Sequence, residues 1–294
     1  MRKFIGIAVV AGLVCAGPAF AQAGSPVIEA DRILTLALEK GDRAAAEGLL
    51  DADFSWVDPD GILYFKDDAF RAGLRPLVGT GSGVAVVEHR YNRVVFVQRS
   101  EASARYSGRF WVQRPEGWRL LHMTDIAVRR RDYQPIRPDF EVPCINPCGV
   151  LPWRPIGAGE RAALEGWKEQ ESSAAGWVKR TADNYDQRPV NTYMGAAPSK
   201  AERIPIVQKV FGATPRVAPA APILWVRAWD FGDAVVAIMI QPAYGDKAYW
   251  ASRIFANIGG LWQMAESYHN HIENAPIMTA VPLSASKDPR GTAP

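Results

Sequence analysis

Near one end of this 294-residue chain lies Tyr268-His269-Asn270-His271-Ile272-Glu273, which holds two of its four histidines. The run reads as a β-strand, where residues two apart share a face. His269, His271 and Glu273 then point one way, and Tyr268 and Asn270 the other. Neighbouring imidazoles can share a proton or bind a metal, with Glu273 orienting one ring. A two-residue spacing without a third spaced ligand is weak evidence for metal, so none is assigned. Arg253 belongs to the preceding strand, flanked by Tyr249, Trp250 and Phe255. A guanidinium there could stabilise an oxyanion or hold a phenolate or carboxylate, or it could form an ion pair with Asp183 or Glu266. Trp225, Arg227 and Trp229 alternate, giving a ladder that either grips a flat ligand or forms a packing surface.

Together these residues suggest acid–base chemistry without a cofactor. His269 or His271 would move the proton, Tyr268 would assist, and Arg253 would stabilise developing negative charge. Tyr185, Trp225, Arg227, Tyr249 and Glu266 are the candidate lining. Flat rings bind well between indole and tyrosyl faces, so a small hydrophobic, ring-bearing ligand is expected. The alternative is a non-catalytic exported module whose tryptophans pack its parts together. The chain has no phosphate-cradling glycine loop and no Gly-x-Ser-x-Gly elbow.

The elements that would position these groups occur twice. Arg109-Phe110-Trp111 precedes Trp118 as Arg253-Ile254-Phe255 precedes Trp262, each followed by an alternating apolar stretch. Upstream, Ala52-Asp53 and Gly61-x4-Lys66 match Ala182-Asp183 and Gly195-x4-Lys200. Two domain-sized copies are expected, since solenoid repeats are far shorter. In the first, helices are expected at 26–40, 43–50 and 67–74. A hairpin should turn at Asp58-Pro59-Asp60-Gly61, followed by strands at 84–91, 93–98, 102–113 and 118–129. In the second, helices at 159–179 and 200–210 precede strands at 223–230, 234–241, 248–257 and 261–273. Asp125 falls where His269 falls, and His122 where Glu266 falls. Trp56, His89 and Tyr91 could line a second cavity, but this copy looks the poorer in polar equipment.

Helices followed by an antiparallel sheet argue for an α+β fold. The order, with its last hairpin of the form aromatic-x-Arg-x-aromatic, Gly-turn, Trp-x-apolar, resembles the NTF2-like superfamily. More narrowly it resembles the SnoaL-like and DUF4440 group. That resemblance implies two tandem cone-shaped domains, each a curved sheet round N-terminal helices with a pocket at its wide end. It also implies lyase, dehydratase or isomerase chemistry, and a homo-oligomer if the open sheet face is covered by another chain. Because this fold hosts many activities and modules with none, it does not fix the function.

The flanking segments speak to location. Arg2 and Lys3 precede an apolar run from Phe4 to Ala16, and Ala19-Phe20-Ala21 is a small-x-small cleavage site. Residues 1–21 are therefore expected to be a signal peptide, leaving a periplasmic or secreted protein with no stable membrane insertion. Its removal lowers the net charge from +3 to +1 and leaves no basic stripe, which argues against nucleic acid. The domains then run 22–132 and 159–278, joined by a Pro-rich linker, 133–158, and followed by a tail, 279–294. Cys144 and Cys148 lie in the linker, and a local structural disulfide is expected in an oxidising compartment.

Overall fold

The computed structural model of the chain describes residues 25–101, 105–128, 153–188, 199–211, 223–241 and 248–274. The expected signal peptide, Cys144 and Cys148, Gly195 and the expected tail lie outside the described residues.

Helix α1, Pro26–Lys40, starts where Ser25 accepts from the Ile28 amide and Pro26 sets the first φ. It ends at Gly41, whose left-handed φ of 69° an L side chain would resist. Its buried stripe is Val27, Asp31, Leu34, Thr35, Ala37 and Leu38. Ile33, although apolar, is exposed. What turns the helix is polar: two arginines of the sheet take Asp31 into the interior. Two short helices, α2 (Arg43–Glu47) and α3 (Lys66–Arg71), complete this layer.

The first sheet contains β1 (Leu50–Val57), β2 (Leu63–Phe65), β3 (Val84–Tyr91), β4 (Val94–Glu101), β5 (Arg105–Arg114) and β6 (Gly117–Ala127). Its spatial order is β2-β1-β6-β5-β4-β3, antiparallel except for the parallel pair β1 and β6. The C-terminal half repeats the scheme. Helices α4 (Ala158–Ser172), α5 (Ala174–Arg180) and α6 (Lys200–Phe211) accompany β7 (Thr181–Arg188), β8 (Trp225–Asp230), β9 (Ala234–Gln241), β10 (Tyr249–Ile258) and β11 (Leu261–His271). The order is β7-β11-β10-β9-β8, with β7 and β11 parallel.

The two halves share small irregularities as well as order. Both last hairpins carry a bulge at the same place, after Phe110 and after Ile254. Lys66 donates to the carbonyl of Leu50 and Lys200 to that of Thr181, the first residues of β1 and β7. Three expectations needed correction: the helix expected over 43–50 ends at Glu47, and Leu50 already belongs to β1. The helix expected over 159–179 breaks at Ser173, whose extended backbone lets its hydroxyl accept from Gly176 and start α5. Strand β7 was not expected at all; it is polar in sequence and finds its place by pairing with β11.

Each sheet is covered by helices on one face and by the other sheet on the opposite face. One core lies between α1, α2 and α3 and the first sheet, including Leu34, Leu38, Phe54, Val95 and Trp111. Its counterpart includes Leu164, Trp167, Trp177, Ala237 and Phe255. Between the sheets a third core joins Phe96, Phe110 and Leu121 to Val236, Ile254 and Tyr268. Burial on both sides makes the central strands almost continuously apolar; β9 is buried at every position.

Close approach at this inter-sheet face depends on two glycines. A Cβ at Gly108 would sit 3.1 Å from the Tyr268 ring and 3.2 Å from Phe96 and Thr124. At Gly61, which has φ +76°, it would run into the backbone carbonyl of His271. That turn is pinned to the C-terminal half, because Trp250 donates to the Gly61 carbonyl and the Glu273 amide to that of Asp60.

Candidate functional site

Strand β11 deals its side chains to two environments. Ser267 and His269 face the helix-covered side of the second sheet, and by alternation so does His271, which is buried. Glu266, Tyr268 and Asn270 face the first sheet. The site on the helix side centres on Arg253, which is only 5% exposed. Its Nε donates to Ser267 Oγ at 3.2 Å, its Nη2 to Gln241 Oε1 at 2.6 Å, and its Nη1 to the sulfur of Met239 at 3.1 Å. The guanidinium lies 4.8 Å from the Trp167 ring centre. Every one of these direct partners is neutral; the nearby carboxylate is Glu171, which accepts from Trp167 Nε1 at 3.3 Å and whose charge, like that of Arg253, reaches Tyr185 and Tyr249. Asp183, one expected ion-pair partner, binds Lys200 instead, and Glu266 is on the far face of the sheet. A buried cation without a directly paired counter-charge is expensive unless something anionic joins it.

Ser267 links Arg253 to His269. Its oxygen accepts from the guanidinium, which leaves its proton for His269 Nε2, 2.9 Å away. His269 is therefore assigned as the Nδ1–H tautomer with Nε2 as acceptor. Burial, with the charges of Arg253, Arg203 and His271 adding to it, pushes its pKa well below the imidazole range, so it is neutral at physiological pH. Tyr249 packs on the imidazole at 4.8 Å between ring centres. Tyr185 stands edge-on to Trp177, and its hydroxyl is pushed up to about 12, mainly by burial, with Ser267 near enough to oppose the shift. The arrangement is a hydroxyl–imidazole chain beside a buried cation whose direct partners are neutral, walled by Trp167, Tyr185 and Tyr249. It can hold an oxyanion and accept a proton close by.

The structure therefore brings together Arg253, His269, Tyr185 and Tyr249 of the expected set. His271 is buried on the same face of β11 as His269 and its charge acts on that ring, but Tyr268, Glu266, Trp225 and Arg227 are elsewhere. Tyr268 is on the opposite face, where its hydroxyl donates to Gln98 Oε1 at 2.6 Å and its ring meets Phe96. Opposite faces of one strand cannot line one cavity, so Tyr268 is removed from the site. Glu266 goes with it: its carboxylate accepts from Tyr91 at 2.6 Å and lies 2.6 Å from His89 Nδ1. His89 and Tyr91 thus join the two halves rather than line a cavity. The Trp225-Arg227-Trp229 ladder is likewise a packing surface. Arg227 and Trp229 both bind Asp53, and Trp225 packs edge-on against Trp250 beside Val57. Sequence reasoning missed Ser267 and Gln241. Ser267 could have been found, because it is two residues before His269 on a strand already assigned.

At the matching place in the first sheet the chemistry differs. Arg109 takes Arg253's register position, between Val97 and Met123 as Arg253 is between Ala237 and Ser267. It is paired: Asp31 accepts from Arg109 Nη1 at 2.9 Å, from Arg99 Nη1 at 2.9 Å and from Trp111 Nε1 at 3.2 Å. Asp125 accepts from Trp56 Nε1 at 2.9 Å, and burial raises its pKa to about 6. Among the described residues there is no cluster of three or more metal-ligating side chains, and no helix long and apolar enough to cross a membrane.

The sequence matches no family model and no curated protein. Solved structures similar to part of it include an NTF2-like protein from Cytophaga hutchinsonii, 18% identical, with TM-score 0.26 over 35% of this chain and 95% of that one. Another is an NTF2-like protein of unknown function in nutrient uptake from Rhodospirillum rubrum, 22% identical, with TM-score 0.28 over 36% and 100%. A third is the CaMKII hub of S. rosetta, 18% identical, with TM-score 0.28 over 39% and 99%.

Proposed function

We propose that the chain is an exported tandem pair of NTF2-like units, residues 22–132 and 159–278, whose second unit performs acid–base chemistry on a small ring-bearing anion. The leader up to Ala21 is removed on export, and the Pro-rich linker between the units carries the Cys144–Cys148 disulfide. Lyase, dehydratase or isomerase chemistry suits the site. His269 accepts the proton, Ser267 relays it and holds the imidazole in its acceptor tautomer, and Arg253 stabilises the enolate or phenolate that forms. The observation that carries this reading is Arg253, buried beside an imidazole with only neutral partners. The tandem arrangement is supported by the matched strand orders, the matched bulges and the matched arginines.

A second reading is a ligand-binding or assembly module without turnover. It is favoured by Trp225, Trp229 and Trp250, which serve the contact between the halves rather than a ligand. One experiment separates the two. The purified protein is screened against ring-bearing carboxylates and phenols for binding and for exchange of an acidic C–H proton with solvent. Exchange that disappears in His269→Ala supports the enzyme, binding without exchange supports the module, and neither would defeat both.

A further inference from the structure

Strand β11 changes parity once, immediately before the residues that meet Arg253. Met264 packs in the core beneath the helices and Ala265 in the core between the sheets, yet Glu266 faces the first sheet as Ala265 does. Two successive residues on one face mark the bulge. Ala265 is the extra residue, because Phe255 pairs with Met264 and Ile254 with Glu266. The ladder to β7 is interrupted at the same place and also resumes at Glu266, opposite Asp186. From there the pairing with β10 runs unbroken to His271. The residue that resumes pairing on both sides therefore decides which face receives Ser267 and His269. One step of slippage would turn both toward the first sheet and Tyr268 toward the helices.

What holds Glu266 comes from the other half of the chain. Its Oε1 accepts from the Tyr91 hydroxyl at 2.6 Å and lies 2.6 Å from His89 Nδ1, both on β3. Glu266 is fully buried, so a slipped strand would leave its carboxylate in the interior away from these partners, which is strongly disfavoured. The first sheet uses the same device. Leu121 is the extra residue of β6, and His122, next after it, reaches Ser252 of β10 at 2.8 Å. We propose that Glu266 is a positioning residue for the Arg253–Ser267–His269 site, and that through Tyr91 and His89 the N-terminal half sets the geometry of that site. The proposal rests on this site being the working one, but it concerns the imidazole rather than a substrate. Held in register, Ser267 takes the Arg253 Nε–H on its oxygen and gives its own proton to His269 Nε2, which keeps the ring in its Nδ1–H form. With Glu266 released, that hydrogen bond loosens and the ring samples both tautomers.

Nitrogen-15 NMR of the imidazoles in the full-length protein at neutral pH reads the tautomer directly, with the His269 signal identified by its loss in His269→Gln. The parent should show a dominant Nδ1–H form. Glu266→Leu removes the carboxylate and Tyr91→Phe withdraws one donor; each should lower the ratio of the two tautomers roughly fivefold, the worth of one hydrogen bond. Glu266→Gln, which keeps an oxygen for the Tyr91 hydroxyl, should retain the parent ratio. Asp53→Ala breaks the contacts to Arg227 and Trp229 elsewhere between the halves and should also leave it unchanged. Should Glu266→Leu not fold, Tyr91→Phe decides the matter alone. A mixture of tautomers in the parent, a parent-like ratio in Tyr91→Phe, or the same change in Asp53→Ala would each overturn the proposal. The measurement needs no turnover, so failure to exchange any substrate proton would defeat the proposed reaction and leave this result standing.

Discussion

Arg109 and Arg253 occupy the same register position in their two sheets, and the difference between them shows how one framework yields two chemistries. In the N-terminal half, α1 brings Asp31 down onto the arginine, so the charge is met from within the fold. In the C-terminal half the same position meets Ser267, Met239, Gln241 and the Trp167 ring, all neutral. The first arginine is chiefly cement, with one nitrogen left over. The second is a cation held ready. The half that looked poorer in polar groups holds the larger ion-pair network; the half richer in aromatic residues holds the charge whose direct partners are neutral.

The most direct way to break this comparison is through turnover. If the C-terminal site is catalytic, His269→Ala should lower kcat by roughly 10²–10⁴-fold, the usual worth of a positioned acid–base group. Its circular dichroism should not change. Full turnover in that variant would remove the imidazole from the mechanism.

Stability should separate the arginines next. Arg109→Met leaves Asp31 short of a partner and should cost about 3 kcal/mol or more in urea unfolding, since breaking a buried ion pair is expensive. Arg253→Met removes a buried charge whose direct partners are all neutral, and should be within about 1 kcal/mol of the parent, or above it. Equal losses would mean the two arginines do the same work.

Acid sharpens the contrast further. A raised carboxyl pKa means the folded state holds its proton more tightly, so stability contributed by Asp125 rises as pH falls from about 6 toward 3.8. That gain is about 3 kcal/mol at 1.36 kcal/mol per unit. His122 acts oppositely. Buried between Ser55 and Ser252 and pushed down to about 3, it loses stability for the fold as pH falls below 6.5. The two partly cancel in the parent. In Asp125→Asn the loss between pH 6 and 4 should be steeper by about 3 kcal/mol, read from denaturant midpoints. Identical slopes would show that Asp125 titrates normally.

The smallest effect belongs to the linker. Cys144 and Cys148 should resist thiol labelling in exported, unfolded, non-reduced protein, and reduction should barely shift the thermal midpoint. Two free thiols would end that expectation.

Much of the architecture was legible because turns and periodicity are local. Val84–Tyr91 and Ala234–Gln241 were read to the residue, and the arginine and tryptophan anchors fall on matched strands. The alternation of β11 was also legible, but its consequence was not. Both its faces are buried, so no polar–apolar contrast distinguishes the ligand side from the side that meets the first sheet, and Tyr268 and Glu266 were placed in the wrong company. Asp31 was illegible for a related reason. A carboxylate on a helix reads as surface until Arg99 and Arg109, far along the chain, are known to lie beneath it.

Gly108 and Tyr268 bear on what each half could do alone. By register, Gly108 corresponds to Ser252, Gln98 to Ile238 and Thr124 to Tyr268. The tyrosine fits because its counterpart surface offers a hydrogen atom and an amide oxygen. Facing a second copy of its own half, it would meet a hydroxymethyl and an isoleucine. Confining both surfaces to one polypeptide lets each evolve a shape that its twin could not accept. Liberated C-terminal halves should therefore be poor partners for one another and good partners for the N-terminal half.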